Sequence, residues 1–479
     1  MPAKSAASFD LIVIGAGSAG LAAARRAAQL GARTLIIDRA QVGGTCVNRG
    51  CVPKKLLGYG AAWSQTVARC LRAIHTVHAA DAWAEAIART RAEVARLNEV
   101  YHAHLLDAGV QWLTGMASLR GRGIVRLQSD TGKTTLRARQ VVLATGAQPV
   151  PLPVPGAELA CSSDDVFGWD TLPASLIIVG GGVVAVELAS MLARFGVRVT
   201  LLVREARVLA EFDVAVSEAT TQALTRSGVD LVPNADVVRV ERDAVNGGGV
   251  AVYVSGANDD IPRVLRAQRV LAAIGRAPTT AGLGLDAAGV SLDGRGGIAV
   301  DRHFRTRARG VHAVGDVSSA QQLTPVATAQ GHYVAERLFG KGTKLPDMNA
   351  VPTAVFCDPA IATVGLTEAD ARTRWPELGK RGTKLETDGD KRAAADRIDV
   401  VVRRFVSLEQ RFAGTGMESL IKLVCNARSG RVLGAHIVDN AAPEIIQALA
   451  VAVRMGVRLK HLRTTVGLHP TVAEELLSF

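Results

Sequence analysis

Residues 9–38 read "FDLIVIGAGSAGLAAARRAAQLGARTLIID", and the order of residue types predicts a β-α-β unit that holds a dinucleotide. The apolar run Phe9–Ile14 has strand character. It meets a Gly-Ala-Gly-Ser-Ala-Gly turn that opens an alanine-rich helix ending at Gly31. Each glycine has its own task. Gly15 permits the tight turn, Gly17 lets the backbone approach a pyrophosphate, and Gly20 lets the helix pack on the strand. The helix start at Ser18 offers free N–H groups to phosphate oxygens. A second strand closes on Asp38, where a carboxylate accepts from an adenosine ribose hydroxyl.

The pattern returns at 175–205, "SLIIVGGGVVAVELASMLARFGVRVTLLVRE". Gly180, Gly182 and Ala185 take the places of the three glycines, and Val183 opens the helix. The end differs: Arg204 stands near the place of Asp38. An acid there repels a 2′-phosphate and an arginine binds it, so the second unit suits NADP(H), with Glu205 next door keeping NAD(H) open. The first unit then suits a flavin dinucleotide, and two dinucleotides in one chain point to electron transfer between them. "VVLATGAQP" (141–149) and "VHAVGDVSS" (311–319) each run a strand into a glycine turn, and Asp316 stands within reach of a cofactor sugar.

The bulk composition agrees. The chain has 479 residues, 48% apolar, 21% charged and only 4% aromatic. That is enough material for several Val/Leu/Ala-rich cores of the parallel α/β kind. The formal charge of +12 is scattered, without a basic block or zinc-finger spacing. This speaks against a nucleic-acid partner and for a small anionic substrate. No apolar run reaches the roughly 18 residues of a membrane helix. "FDLIVIGAG" is broken by Gly15 and reads as a strand instead of a signal peptide. A cytoplasmic protein follows, in a reducing compartment where a disulfide is catalytic more often than structural. Residues 81–107 have helical periodicity in Ile87, Val94, Leu97, Tyr101 and Leu105. The polar stretch 376–398 reads as a surface excursion.

Residues 43–55, "GGTCVNRGCVPKK", place Cys46 and Cys51 five apart in a chain with only 6 cysteines. Spare thiols, a metal site and a working disulfide are the alternatives. On a regular helix this spacing puts the two side chains on different faces. A bridge needs Cα atoms within about 4.4–6.8 Å, and so a distorted first turn, which Gly43, Gly44 and Pro53 can supply. A helix start and Lys54 lower a thiol pKa. Zinc is disfavoured, since no second Cys/His pair lies at ligand spacing. Cys70, Cys161, Cys357 and Cys425 are isolated and read as buried small apolar residues.

"VGGTCVNRGCVPKKLL" resembles the redox-disulfide signature of the flavoprotein pyridine nucleotide–disulfide oxidoreductases, and the similarity runs from residue 9 to 479. Four segments narrow the resemblance to the glutathione reductases of that family: the CVPKK ending; "LTPVATAQG" (323–331); "FCDPAIATVGLTEADA" (356–371); and "LGAHIVDNAAPEIIQALAVAVRMGV" leading to "TTVGLHPTVAEELL". Lipoamide dehydrogenases usually carry CIPSK, and mercuric reductases end in a vicinal cysteine pair, which "ELLSF" lacks. The resemblance implies an α/β fold with two Rossmann-like dinucleotide-binding domains and an α+β C-terminal dimerisation domain. The implied divisions are an FAD domain (1–148), an NAD(P)H domain (149–279), a central domain completing the FAD site (280–345) and an interface domain (346–479). "PVPLPVPG" (149–156) is the hinge between the first two.

Residue by residue, the resemblance implies FAD contacts at Gly15, Gly17, Ser18, Gly20, Asp38, Gly44, Thr45, Ala117, Thr145, Gly146, Asp316, Leu323 and Thr324. NADPH contacts fall at Gly180, Gly182, Val183, Arg204, Gly275 and Arg276, and glutathione disulfide contacts at Ser18, Arg25, Tyr101 and His332. Cys46 and Cys51 become the redox disulfide, with Cys51 nearer the flavin and Cys46 attacking substrate. Lys54 and Glu187 match an ion pair beside the flavin. His469 and Glu474 match the proton-transfer pair, contributed by the second subunit of a homodimer. On its own, Thr471-Val-Ala-Glu474 reads as a helix capping box.

Three positions depart from the pattern: Val183 replaces a tyrosine lid, Ala210 a second 2′-phosphate arginine (Arg207 lies close by), and His332 a carboxylate-binding arginine. A related reductase of a lipoyl group, another small disulfide or mercuric ion is therefore the rival reading. A flavin-binding redox sensor is a third.

Overall fold

The computed structural model describes residues 8–70, 79–243, 248–256, 262–375 and 397–478. Most of the 376–398 surface excursion lies outside the described residues, as does the side chain of Cys70.

The first β-α-β unit folds as its sequence dictates. Strand β1 (Ser8–Ile14) leads to helix α1 (Ser18–Gln29) and strand β2 (Thr34–Asp38). Both strands are near-continuous apolar runs, because they are buried on both faces in a parallel sheet. The sheet continues through β3 (Gln111–Thr114), β4 (Met116–Leu119), β5 (Ile124–Ser129) and β6 (Gly132–Leu143). Its order is β3-β2-β1-β6-β5-β4, and strand Val311–Ala313 joins alongside β6. The late strand is thus brought back to the first unit, and the turn carrying Asp316 with it.

The second unit repeats the plan. Strands Ser175–Val179 and Arg198–Leu202 flank helix α5 (Val183–Arg194) in a five-stranded parallel sheet. The internal repeat extends to atomic detail. Gly15 has φ +106° and Gly180 φ +133°, a region that favours glycine. A β-carbon on Gly15 would lie 2.3 Å from the Ala144 carbonyl oxygen, and one on Gly180 2.3 Å from that of Ala273. Any side chain would push the parallel strand away from the nucleotide turn.

A three-stranded antiparallel sheet (Ala235–Asp243, Gly249–Gly256, Arg263–Ala267) covers the second unit. The C-terminal part is a five-stranded antiparallel sheet in the order Thr353–Val355, Ile361–Gly365, Val432–Val438, Ser419–Asn426, Ile398–Phe405. Helix Ala442–Arg454 packs on it. The expected α/β fold with two Rossmann-like units and an α+β C-terminal part is what the structure has. Among the described residues no helix is long and apolar enough to cross a membrane.

The long helix expected at 81–107 spans Ala79–Asp107. Ile87 and Leu105 are buried, and Val94, Leu97 and Tyr101 are half-buried. Cys357 and Cys425 are buried as expected, but Cys161 is only half-buried.

Candidate active site

Between the first unit and the rest of the chain lies the cysteine turn. Helix α2 (Gly44–Arg49) carries Cys46, and helix α3 (Cys51–Cys70) begins at Cys51. Gly50 separates them with φ −148° and ψ −118°, so the helix breaks between the two cysteines. The required distortion was expected at Gly43, Gly44 and Pro53. The structure instead places the break at Gly50, while Gly43 and Gly44, both at positive φ, start α2. The break answers the spacing problem: it brings the Cys46 and Cys51 thiols close enough to shift each other's pKa.

Their electrostatics are unequal. The hydrogen bond from Cys46 is the chief cause that brings the Cys51 thiol down to about 6; burial opposes it, while Thr324 and the Lys54 charge assist. The same contact drives Cys46 well above the ordinary thiol range, helped by burial. The pair therefore holds its first negative charge on Cys51. The Cys51 Sγ lies 3.6 Å from the Thr324 Oγ1. Thr324 opens helix Thr324–Phe339, with Leu323 as its N-cap.

One turn into α3, Lys54 forms an ion pair with Glu187 of α5, a side chain only 1% exposed. The Glu187 Oε1 also accepts from the Phe356 backbone N–H at 2.7 Å. Two nucleotide folds and the C-terminal part thus meet at one carboxylate, close to the thiols.

The glycine turns of the two nucleotide units can be followed residue by residue. A β-carbon on Gly44 would lie 2.6 Å from the Gly17 Cα, so the cysteine turn closes on the glycine turn backbone to backbone. No side chain caps α1 at Gly17 or α5 at Gly182, which leaves their first N–H groups for anions. Asp38 does more than expected. Its carboxylate accepts from the Ala16 N–H at 2.6 Å and the Ala40 N–H at 2.9 Å, tying the nucleotide turn to the end of β2. Asp316, half-buried in the turn after Val311–Ala313, is raised above the usual carboxylate range by burial. Gly315 N–H donates to Gln330 at 2.8 Å. Thr145 Oγ1 donates to the Thr279 carbonyl at 2.7 Å, and the Thr279 N–H to that of Gly146 at 2.9 Å. Ala117 is buried in β4, Thr45 lies in α2, and Ser18 and Gly20 lie in α1. Uncapped helix starts, a close approach of the Gly17 and Gly44 backbones and a half-buried acid suit the phosphates and sugar of a dinucleotide.

The second cradle holds Gly180, Gly182 and Val183 at the start of α5, and Gly275 follows strand Arg269–Ala272. Arg204 is exposed and meets Glu205 at 3.3 Å. Arg276 has other company: it donates to the Ala147 carbonyl at 2.7 Å and pairs with Asp164 at 3.5 Å, and its charge reaches Asp316. These partners link it to the first cradle as well. Asp164 also binds Arg49 at 3.2 Å, a contact no sequence signal announced.

Of the expected substrate residues, Arg25 and His332 come together. His332 is held below its ordinary range by burial and by Arg26 and Arg25, while Arg26 donates to Glu336 at 2.7 Å. Ser18 stands at the first residue of α1, and Tyr101 is half-buried on the long helix.

The C-terminal segment has the expected capping box, and its glutamate also meets His469. Thr471 and Glu474 form the capping box, with the Glu474 N–H donating to Thr471 Oγ1 at 3.3 Å and the Thr471 N–H to Glu474 Oε1 at 3.4 Å. The same carboxylate receives the His469 Nδ1 at 3.1 Å on each oxygen. The imidazole is 82% exposed, with Nε2 turned to neither partner. His436, by contrast, is a satisfied core residue: it bonds Thr363 Oγ1 at 2.8 Å and the Leu366 carbonyl at 3.0 Å.

Comparison with known proteins agrees with this geometry. The family model for pyridine nucleotide-disulphide oxidoreductases matches residues 9–331, and the model for their dimerisation domain matches 351–478. A glutathione reductase of Burkholderia cepacia is 39% identical, covering 98% of each chain. A trypanothione reductase of Trypanosoma congolense is 31% identical, covering 98% of this chain and 95% of that one. The Cu(II) complex of the HOCl-induced flavoprotein disulfide reductase RclA from Escherichia coli superposes with a TM-score of 0.84 at 27% identity, covering 98% of both chains. The chain belongs to the pyridine nucleotide-disulphide oxidoreductase family and is a pyridine nucleotide-dependent flavoprotein disulfide reductase.

Proposed function

We propose that the protein reduces glutathione disulfide with NADPH, through FAD and a Cys46–Cys51 disulfide. The observation that carries the reading is the polarised thiol pair. Cys51 holds the thiolate between Cys46, Thr324 and Lys54, on a turn whose Gly44 backbone packs against Gly17 of the first nucleotide turn. Relatives named glutathione reductase, at 39% identity from Burkholderia cepacia and 35% from Nostoc sp., support the substrate. So do the positive charges of Arg25 and Arg26 acting on His332.

FAD, held by the Gly17 and Gly44 backbone with Asp38 and Asp316, would supply to the disulfide the two electrons that NADPH brings as a hydride. Lys54 steadies negative charge at that edge, and Glu187 holds Lys54 in place. Cys46 passes its proton to the imidazole of His469 of the partner subunit and attacks one sulfur of glutathione disulfide. The substrate S–S bond breaks, a Cys46–glutathione mixed disulfide forms, and the first glutathione leaves as a thiolate. His469 of the partner subunit protonates it. The Cys51 thiolate then attacks the Cys46 Sγ, which releases the second glutathione and closes the Cys46–Cys51 bond. Two electrons pass per cycle.

A homodimer supplies the histidine. In one chain the His469 ring is 82% exposed, and the C-terminal part exposes large apolar side chains: Phe412, Met455, Val466 and Leu468 are 96%, 83%, 94% and 74% exposed. Such a surface calls for a partner, and a second copy joined through the matched dimerisation domain provides one. We place the protein in the cytoplasm, where the glutathione pool needs a reductase.

His332 beside Arg25 favours a second reading, in which another small anionic disulfide is the substrate. The deciding experiment is turnover. The purified protein should show a flavin spectrum and oxidise NADPH with glutathione disulfide faster than with lipoamide or Hg(II). No turnover with glutathione disulfide would reject the glutathione reading while leaving the flavin–disulfide core.

A further inference from the structure

Beyond the cysteines and the Lys54–Glu187 pair, one hydrogen-bonded chain of side chains reaches the redox turn. Asn48 lies between the two cysteines on α2. Its Nδ2 forks, donating to the Val42 carbonyl at 3.0 Å and the Gly44 carbonyl at 2.9 Å. Asn48 thereby clamps the loop entering α2 onto the helix that carries Cys46. Its remaining acceptor, Oδ1, receives the Nδ2 of Asn98 at 2.9 Å. The same Asn98 nitrogen donates to the Val94 carbonyl at 2.7 Å, one turn earlier in helix Ala79–Asp107.

The orientation of both amides is determined. Turning Asn98 over would set its oxygen against two acceptors, Asn48 Oδ1 and the Val94 carbonyl. In the orientation present, Asn98 Oδ1 is buried without a hydrogen-bond partner. The arrangement serves the donor side, which is spent on Asn48. The long helix is thus a fixed post from which the Gly43–Gly50 turn is held.

We propose that Asn98 and Asn48 are positioning residues that hold the Cys46–Cys51 turn in the geometry in which the two sulfurs meet, and so set the reduction potential of the pair. The inference rests on reading Cys46 and Cys51 as the redox couple. The turn has little else to hold it. Gly43, Gly44 and Gly50 each lack a side chain, and the break at Gly50 frees Cys46 from the i→i−4 register of α3. Loosening the clamp lets the sulfurs drift apart, which disfavours the disulfide more than the dithiol. The pair then becomes easier to reduce and harder to reoxidise.

The test uses the flavin-loaded protein. Asn98→Leu removes the donor at similar volume, and Asn98→Ser, a milder change, is too short to reach Asn48. Asn48→Leu removes the clamp itself, and a fourth variant carries Asn98→Leu with Asn48→Leu. The readouts are the Cys46–Cys51 redox equilibrium in glutathione buffers and the pH titration of thiolate absorbance in the reduced protein. We expect Asn98→Leu to shift the exchange constant about tenfold towards the dithiol, or about 30 mV. Asn98→Ser should shift it in the same direction, with the Cys51 titration moved to higher pH. The double variant should match Asn48→Leu alone, because the two residues act in series. An unmoved equilibrium in a folded, flavin-loaded Asn98→Leu or Asn98→Ser protein would overturn the proposal, as would shifts that simply add. Absence of any titrating dithiol in the unaltered protein would overturn the disulfide reading itself, and this inference with it.

Discussion

Lys54 and Glu187 join two nucleotide-binding units through one buried ion pair: the lysine sits on α3 beside the cysteines, the glutamate on α5 of the second unit. Glu187 is almost fully enclosed, and its other oxygen is taken by the Phe356 N–H. Removing the lysine strands a charge with one hydrogen bond. Breaking a buried pair by deleting one partner costs about 3–5 kcal/mol. Lys54→Met should therefore lower the thermal midpoint clearly. Replacing both residues, as Lys54→Met with Glu187→Met, should recover much of the loss, because no unpaired charge remains. Calorimetry of the two variants decides it. An unchanged midpoint in Lys54→Met would show that the pair carries no such weight.

The polarised thiol pair has a pH signature. In the reduced protein the Cys51 thiolate should titrate near pH 6, against an ordinary value of 9.0. A folded-state value below the unfolded one contributes stability that is complete above about pH 9 and drains as pH falls towards 6. The Cys46 hydrogen bond is the largest cause, so Cys46→Ala should raise the midpoint more than Thr324→Val, which removes a smaller contribution. Absorbance of the thiolate against pH measures all three proteins. A midpoint near 9 before any substitution would refute the polarised pair.

Much of this was legible in the sequence because backbone needs leave a residue signature. Gly15 and Gly180 announce two nucleotide turns, since no other residue suits their φ against a neighbouring carbonyl. Alternating strand and helix runs announce the parallel sheets around them. Contacts between distant elements left no such mark. Nothing in the spacing of Asp164, Arg49 and Arg276 shows that the acid serves both arginines. Asn48 and Asn98 are fifty residues apart, each an ordinary polar residue on a helix. The break at Gly50 was missed for a different reason. Three glycines and a proline crowd this segment, and composition does not say which of them yields.

Nucleotide preference turns on Arg204 and Glu205. Arg204 is exposed and, among the described residues, meets its neighbour's carboxylate at 3.3 Å. An exposed pair of this kind holds together weakly, so a 2′-phosphate can take the guanidinium with a bidentate, charge-assisted contact. Glu205→Ala removes the competing carboxylate and should raise kcat/KM for NADPH by several-fold with little change for NADH. Arg204→Ala should lower kcat/KM for NADPH about tenfold or more, equivalent to about 1.4 kcal/mol, again with NADH little affected. Steady-state kinetics with both nucleotides provide the comparison. Equal losses for NADPH and NADH in Arg204→Ala would remove the arginine from the specificity argument.

The shared active site has the strictest test. His469 meets Glu474 within its own chain, yet its ring is exposed and touches neither cysteine among the described residues. If one subunit supplies the thiols and the other the histidine, two inactive proteins should rescue each other. Cys46→Ser retains His469, and His469→Ala retains both cysteines. Refolding or exchanging them in equal amounts yields about half mixed dimers. Each mixed dimer has one site with all its parts, drawn from both chains, and one site lacking both. Activity should then return to about a quarter of that of the unaltered protein, and Glu474→Gln should behave as a weaker His469→Ala, since it keeps the capping box but loses the charge that orients the ring. A mixture no more active than its inactive components would place the histidine's work within one chain, or nowhere.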